Sequence, residues 1–112
     1  MYRYSTKPLL ISFDVNPAEC DVFELVFKQG DYMIVKNKED LAEEINAVKH
    51  LTNGMHEMQF SFTQKECGDF KAEEWIYVQA NILIGTLRDS SETGKFYLKD
   101  VLKEGVIGEI DT

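Results

Sequence analysis

The longest alternation of apolar and other side chains in this chain covers residues 75–84, which read WIYVQANILI. One set of alternate positions is apolar throughout: Ile76, Val78, Ala80, Ile82 and Ile84. The other set consists of Trp75, Tyr77, Gln79, Asn81 and Leu83. Because successive side chains of a strand point to opposite faces, this pattern predicts a long β-strand with one apolar face.

Two earlier segments alternate in the same way. Residues 9–15 place Leu9, Ile11, Phe13 and Val15 on one face, and residues 22–28 do the same with Phe23, Leu25 and Phe27. Gly30 and Asp31 then suit a two-residue hairpin turn, because glycine accepts the positive φ that such turns require. The returning strand is predicted at residues 32–35, with Phe27 opposite Ile34.

Shorter alternating runs at residues 58–62 and 96–98 complete the set of predicted strands, and Gly85-Thr86 is typical of a turn. Six or seven short strands without interleaved helices favour a mainly β fold, an antiparallel β-sandwich with an immunoglobulin-like arrangement as one option. We predict one domain over residues 1–112, with at most one short helix. The predicted core includes Phe13, Phe27, Phe60 and Ile82.

The segment 37–51 has a different pattern, with Leu41, Ile45 and Val48 at helical spacing and acidic residues between them. Asn37 is a suitable cap, so a short amphipathic helix is predicted there. A loop with one strand turn is the alternative. Residues 63–70 are polar and indicate a turn, and residues 101–107 are predicted to form an irregular end.

The net charge of −8 argues against binding to nucleic acid, which requires clustered lysine and arginine. The sections 1–36, 37–56, 57–75 and 76–112 carry −1, −2, −3 and −2, so the excess is dispersed. Dispersed charge is typical of a solvated surface and weakens the hypothesis that the chain imitates a nucleic acid.

The first seven residues lack the apolar segment of a signal peptide, and no run approaches the roughly 20 apolar residues of a membrane span. We therefore expect synthesis inside the cell and no membrane partner. Cys20 and Cys67 form no C-x-x-C pair and are predicted to be buried, inert, reduced thiols.

No known catalytic motif is present, so we predict neither an enzyme nor a cofactor. The adjacent carboxylates Glu43-Glu44 and Glu73-Glu74 do not share a face in a helix or a strand, and solvated charge is the simpler interpretation. His50 and His56, with the two cysteines, do not match a common zinc spacing, so no metal site is predicted.

The pair Trp75 and Tyr77 is the best candidate for a partner interface. Both lie opposite the apolar face of the long predicted strand, and large aromatic residues are enriched at binding hot spots. The competing interpretation is that the predicted helix or the chain ends cover them.

Several segments resemble small phage and prophage proteins of Gram-positive bacteria. Residues 3–8 are similar to the opening that leads into the first strand of those proteins, and residues 62–70 (FTQKECGDF) are similar to one of their turns. Residues 78–86 resemble their long strand and turn, and residues 101–107 (VLKEGVI) resemble their closing segment. One departure is residues 37–54, a segment longer and more helical than the family's usual hairpin connection.

The resemblance implies a small β-sandwich of the tail or baseplate, similar to the N-terminal domain of baseplate proteins, without catalytic residues. We therefore expect a virion-associated module that binds other phage structural proteins or itself. The alternative is an acidic phage-encoded inhibitor that occupies a basic host protein such as a nuclease.

Overall fold

A computed structural model describes residues 1–90 and 94–100. The described chain is mainly β, as predicted, with two antiparallel sheets and only short helices. The strands are β1 (Leu9–Phe13), β2 (Val22–Gln29), β3 (Tyr32–Asn37), β4 (Lys49–His50), β5 (His56–Phe60), β6 (Glu74–Ile84), β7 (Leu87–Ser90) and β8 (Gly94–Leu98). The helices are a 3-10 turn (Pro17–Glu19), α1 (Ala42–Asn46) and α2 (Gln64–Gly68).

The smaller sheet has the order β1-β5-β4, and the larger has the order β3-β2-β6, with β7 and β8 both pairing with β6. In an immunoglobulin sandwich the first strand shares its sheet with the second, whereas here β1 and β2 lie in different sheets. The observed strand order therefore differs from that of an immunoglobulin domain.

The one predicted hairpin register is confirmed. Phe27 pairs with Ile34 across the Gly30-Asp31 turn, and Gly30 has a φ of +59°. Ile84 pairs with Leu87 across Gly85-Thr86, which confirms the predicted turn, whereas the strand β7 that follows it was not predicted. Because a slip of one residue would turn every apolar side chain toward water, these turns and the buried faces specify the same register.

The core lies between the two sheets and is rich in phenylalanine. The ring centroid of Phe27 lies 5.0 Å from that of Phe60 and 4.7 Å from that of Phe62. Phe13 is in edge contact with Phe23 at 5.2 Å. Of the four predicted core residues, Phe13, Phe27 and Phe60 are buried, but Ile82 is only partly buried.

The short amphipathic helix predicted over residues 37–51 occupies only Ala42–Asn46, and the segment ends in a strand. Asn37 and Asp40 do exchange capping hydrogen bonds, but α1 covers only five residues and has no side-chain cap of its own. The chain then becomes extended, because His50 pairs with His56 in the smaller sheet. Strand pairing outweighs the weak propensity of so short a helix.

A second correction concerns residues 63–70, predicted to be a turn, which contain α2. Thr63 and Glu66 form a reciprocal capping box at its N-terminus. The T-x-x-E spacing that signals such a box was present in the sequence. The described chain thus has two short α-helices where at most one was expected. The prediction for residues 101–107 lies outside the described residues.

Candidate functional site

The outer face of the larger sheet carries both residues predicted for a partner interface. Trp75 and Tyr77 are 44% and 45% exposed, whereas Ile76 between them is fully buried. The predicted helix does not cover the pair, because α1 packs against β5 and the 3-10 turn. The other alternative, cover by the chain ends, involves residues 101–112, which lie outside the described residues. The alternation of β6 therefore produces one core face and one open aromatic face.

Strand β8 adds a second pair of side chains beside them. Trp75 pairs with Tyr97, and Tyr77 pairs with Lys95. The rings of Trp75 and Tyr97 meet edge to face, with centroids 5.3 Å apart. The Nζ atom of Lys95 lies 4.6 Å from the Trp75 ring centroid, within cation–π range.

Strands β2 and β3 extend the surface on the other side of Tyr77. Lys28 pairs with Tyr77, and Met33 pairs with Lys28 in the next strand. Lys28 and Met33 are both exposed. We define the aromatic patch as these six neighbours: Lys28, Met33, Trp75, Tyr77, Lys95 and Tyr97.

Glu73 fixes one corner of the aromatic patch. Its carboxylate accepts hydrogen bonds from the Tyr97 hydroxyl at 3.0 Å and from the backbone N–H of Asp100 at 3.3 Å. The hydrogen bond to Glu73 raises the pKa of Tyr97, with smaller contributions from desolvation and from the nearby charges of Glu73 and Glu74. Tyr97 is thus held as a neutral donor with its ring against Trp75.

Part of the remaining outer face is polar and internally bonded, and the exposed apolar residues there, Val22 and Val35, are smaller than the rings of the aromatic patch. The Asn81 side chain donates to Glu24 at 3.1 Å and accepts from the Ser90 hydroxyl at 2.7 Å. Side chains that already bond to one another gain less from a partner than exposed rings do. The aromatic patch is therefore the part of this face best suited to bind another molecule.

The residues considered for a metal site are only partly brought together. His50 and His56 are cross-strand neighbours whose Nδ1 atoms lie 2.7 Å apart. Cys20 and Cys67 are free and buried, and burial raises the pKa of both thiols, which fits their prediction as core residues. Within residues 1–90 and 94–100, no three or more His, Cys, Asp or Glu side chains cluster as metal ligands would.

The two pairs of adjacent carboxylates, Glu43-Glu44 and Glu73-Glu74, do not form paired sites. Glu43 and Glu44 lie on α1, which packs against β5 and the 3-10 turn. Glu73 binds Tyr97, whereas Glu74 begins β6 opposite Leu98. Neither arrangement in the described chain provides two carboxylates facing a common substrate position.

Sequence reasoning missed four of the six residues of the aromatic patch. The strand at residues 96–98 was predicted, but its partner strand was not. Lys95 and Tyr97 become neighbours of Tyr77 and Trp75 only through the β6–β8 register, and Lys28 joins them through the β2–β6 register. Cross-strand neighbours of this kind are set by tertiary pairing.

The helices in the described chain are each far too short to cross a bilayer. Comparisons with protein-family models, curated proteins and solved structures found no match for this chain.

Proposed function

We propose that this chain is an interaction module that acts by protein–protein assembly through the outer face of its larger sheet. Trp75 and Tyr77 are the proposed anchors. The observation that carries the proposal is their joint exposure, nearly half of each side chain, on a sheet face flanked by Tyr97, Lys28 and Lys95. Aromatic anchors surrounded by polar groups are the usual composition of a binding hot spot.

The charges of the aromatic patch indicate the character of the partner surface. Lys28 and Lys95 stand out on a chain whose net charge is −8, so the patch favours a partner with carboxylates around an apolar centre. Two lysines are too few for the counterion release that drives binding to a nucleic acid. A protein surface is therefore the proposed ligand.

The biological setting we propose is a phage or prophage tail or baseplate. This part rests only on the sequence resemblance of residues 3–8, 62–70, 78–86 and 101–107. On this proposal the chain is made in the bacterial cytoplasm and joins the particle by binding other structural proteins or copies of itself. The genes beside the one that encodes this chain provide the first check, because tail genes should surround it.

The decisive experiment replaces both anchors with serine. The variant carrying Trp75→Ser and Tyr77→Ser should lose self-association in sedimentation velocity, or lose binding to the tail proteins encoded beside it in pairwise co-purification. Leu87→Ser is the matched control, because Leu87 is also exposed but lies outside the aromatic patch. It should leave assembly unchanged.

The unaltered chain should also show red-shifted tryptophan emission that acrylamide quenches readily, since Trp75 is the only tryptophan. Binding of a partner should shift the emission to the blue and protect it from quenching. If the chain neither self-associates nor binds any of those tail proteins, or if the serine variant assembles like the unaltered chain, the proposal is wrong.

A further inference from the structure

Strand β1 is an open edge of the smaller sheet. It pairs with β5 from Leu9 to Phe13, and its other side has no partner strand among residues 1–90 and 94–100. An open edge presents backbone N–H and C=O groups to any extended chain that can lie alongside it. β1 is therefore a potential site for the addition of a strand.

The other edge strands carry the charges by which proteins usually discourage such additions. Lys36 of β3 points inward and pairs with Glu66, β4 contains Lys49, β7 contains Arg88, and β8 contains Lys95. β1 reads LLISF and has no charged residue. Inward charges and edge lysines are recognised protections against edge pairing, so β1 alone among these edges lacks them.

A groove of about 800 Å³ lies beside this open edge. The larger sheet has five strands and the smaller has three, and the groove lies where β7 and β8 extend beside β1. Val78 and Ile82 are only partly buried there. Leu9, Ile11 and Phe13 line one wall, and Val78, Ala80 and Ile82 line the other. The groove also explains why Ile82, expected in the core, is only partly buried.

We propose that this groove accepts an extended segment of a partner protein, which adds to β1 as a fourth strand of the smaller sheet. Alternate side chains of that segment point into the groove, so they are apolar, and those between them face solvent. Asp14 and Asp89 both lie at the Ile82 end of the groove. The segment therefore carries a lysine or arginine at that end.

The opposite end of the groove does not present a competing charge to a docked segment. Lys95 lies near that end but turns toward the outer face, where it stacks over Trp75. The acidic pair is thus the charged feature that distinguishes the two ends for a docked strand. The segment therefore binds in the direction that places its lysine or arginine beside Asp14 and Asp89.

A second copy of this chain fits the groove poorly. If two β1 strands paired edge to edge, they would lie about 4.8 Å apart. Each larger sheet extends past its own β1 by a further strand, on the same side, so the two larger sheets would overlap. A narrow, separate strand avoids this collision.

The chain's own C-terminal segment is the other alternative occupant. The last described residues leave from the far end of the larger sheet, where Lys99 bridges to Tyr2 and Leu98 pairs with Glu74. The groove instead lies along Val78 to Ile82. The described chain therefore ends away from the groove, and the hydrogen-exchange measurement below distinguishes this occupant from a partner segment.

The test is a titration of the full ¹⁵N-labelled chain, followed by NMR, with a synthetic peptide of alternating threonine and valine that ends in lysine. Its valines match the apolar positions of the proposed segment. One control peptide has the same composition with the valines contiguous, and a second ends in glutamate. We expect saturable shifts centred on β1 and β6 with the first peptide, and binding at least about tenfold weaker with either control.

Two variants of the chain complete the experiment. Ile11→Lys places a charge in the groove wall and should weaken binding of the alternating peptide about tenfold or more. Val35→Lys puts the same charge at an exposed position of β3, outside the groove and the β1 edge, and should bind normally. The amide spectra of both variants show directly whether the fold is retained. If Ile11→Lys does not fold, Val78→Phe, which fills the opposite wall, takes its place.

Hydrogen exchange separates the three occupants. The proposal requires the outward amides of β1 to exchange rapidly in the chain alone and to become protected when the alternating peptide binds. Protection in the chain alone at every concentration would show that its own C-terminal segment fills the groove. Protection that disappears on dilution would show a second copy there. Either result, or equal binding of all three peptides, overturns the proposal while leaving the aromatic patch untouched.

Discussion

The two faces of β6 alternate residue by residue yet have opposite roles. Ile76 and Ala80 are buried against the smaller sheet, whereas Trp75 and Tyr77 stand in solvent nearly half exposed. Both faces are rich in apolar surface, so hydrophobicity alone does not explain which one is the core. The difference is that one face meets a second sheet and the other meets nothing in the described chain. Large side chains therefore stabilise the fold on one face and remain available for binding on the other.

The largest expected effect comes from the inner face. Phe27→Ala should lower the free energy of unfolding by about 3–5 kcal/mol, because Phe27 is fully buried and touches both Phe60 and Phe62. Urea denaturation monitored by circular dichroism measures the change. Met33→Ala on the outer face is the control and should change stability by no more than about 0.5 kcal/mol. A loss below about 1 kcal/mol for Phe27→Ala would contradict the assignment of the inner face.

A polar residue on the inner face should give the next largest effect. Gln29 is buried, and its amide both donates to the Lys71 carbonyl at 2.7 Å and accepts from the Lys71 N–H at 2.6 Å. Gln29→Leu leaves both backbone groups without that partner, so we expect a loss of about 1–3 kcal/mol. Gln59→Leu, at an exposed position, should change stability by no more than about 0.5 kcal/mol. Equal results for the two variants would show that the Gln29 bonds contribute nothing net.

A smaller, pH-dependent effect should come from the protected edge at β3. Burial raises the pKa of Glu66, but hydrogen bonds from Lys36 and Thr63 outweigh it and hold the pKa below the ordinary glutamate value of 4.5. This contribution to stability is therefore present above about pH 4.5 and is lost as pH falls through the lower, folded-state pKa. Thermal unfolding of Glu66→Gln should show a shallower loss of stability between neutral pH and pH 3 than the unaltered chain. Parallel curves would contradict the assignment.

The smallest expected effect on stability comes from the outer face. Changing Trp75 and Tyr77 together to serine should lower the free energy of unfolding by no more than about 1 kcal/mol, because the loss is limited to exposed ring contacts such as that with Tyr97. Chemical denaturation measures it. If the double variant unfolds instead, the aromatic residues belong to the core and cannot serve as the proposed anchors.

The sequence by itself determined the mainly β class, the β2–β3 hairpin, the turn at Gly85-Thr86 and the buried face of β6. These features depend on neighbours along the chain, since alternation and turn residues act over a few positions. It also indicated Trp75 and Tyr77, because they alternate with Ile76 along the strand and so lie on the opposite face of the sheet. The Thr63–Glu66 capping box was equally local, and its T-x-x-E spacing could have predicted α2.

Only the tertiary structure decided which strands pair and how far each sheet extends. Residues 37–51 have a helical pattern, but pairing of His50 with His56 converts the end of that segment into a strand. Lys28, Lys95 and Tyr97 join Trp75 and Tyr77 through registers between strands distant in sequence. Ile82 lies on the same apolar face of β6 as Ile76, yet it borders the groove because the larger sheet extends beyond the smaller one there. Burial depends on what lies opposite a face, and a local pattern contains no information about the partner strand or its length.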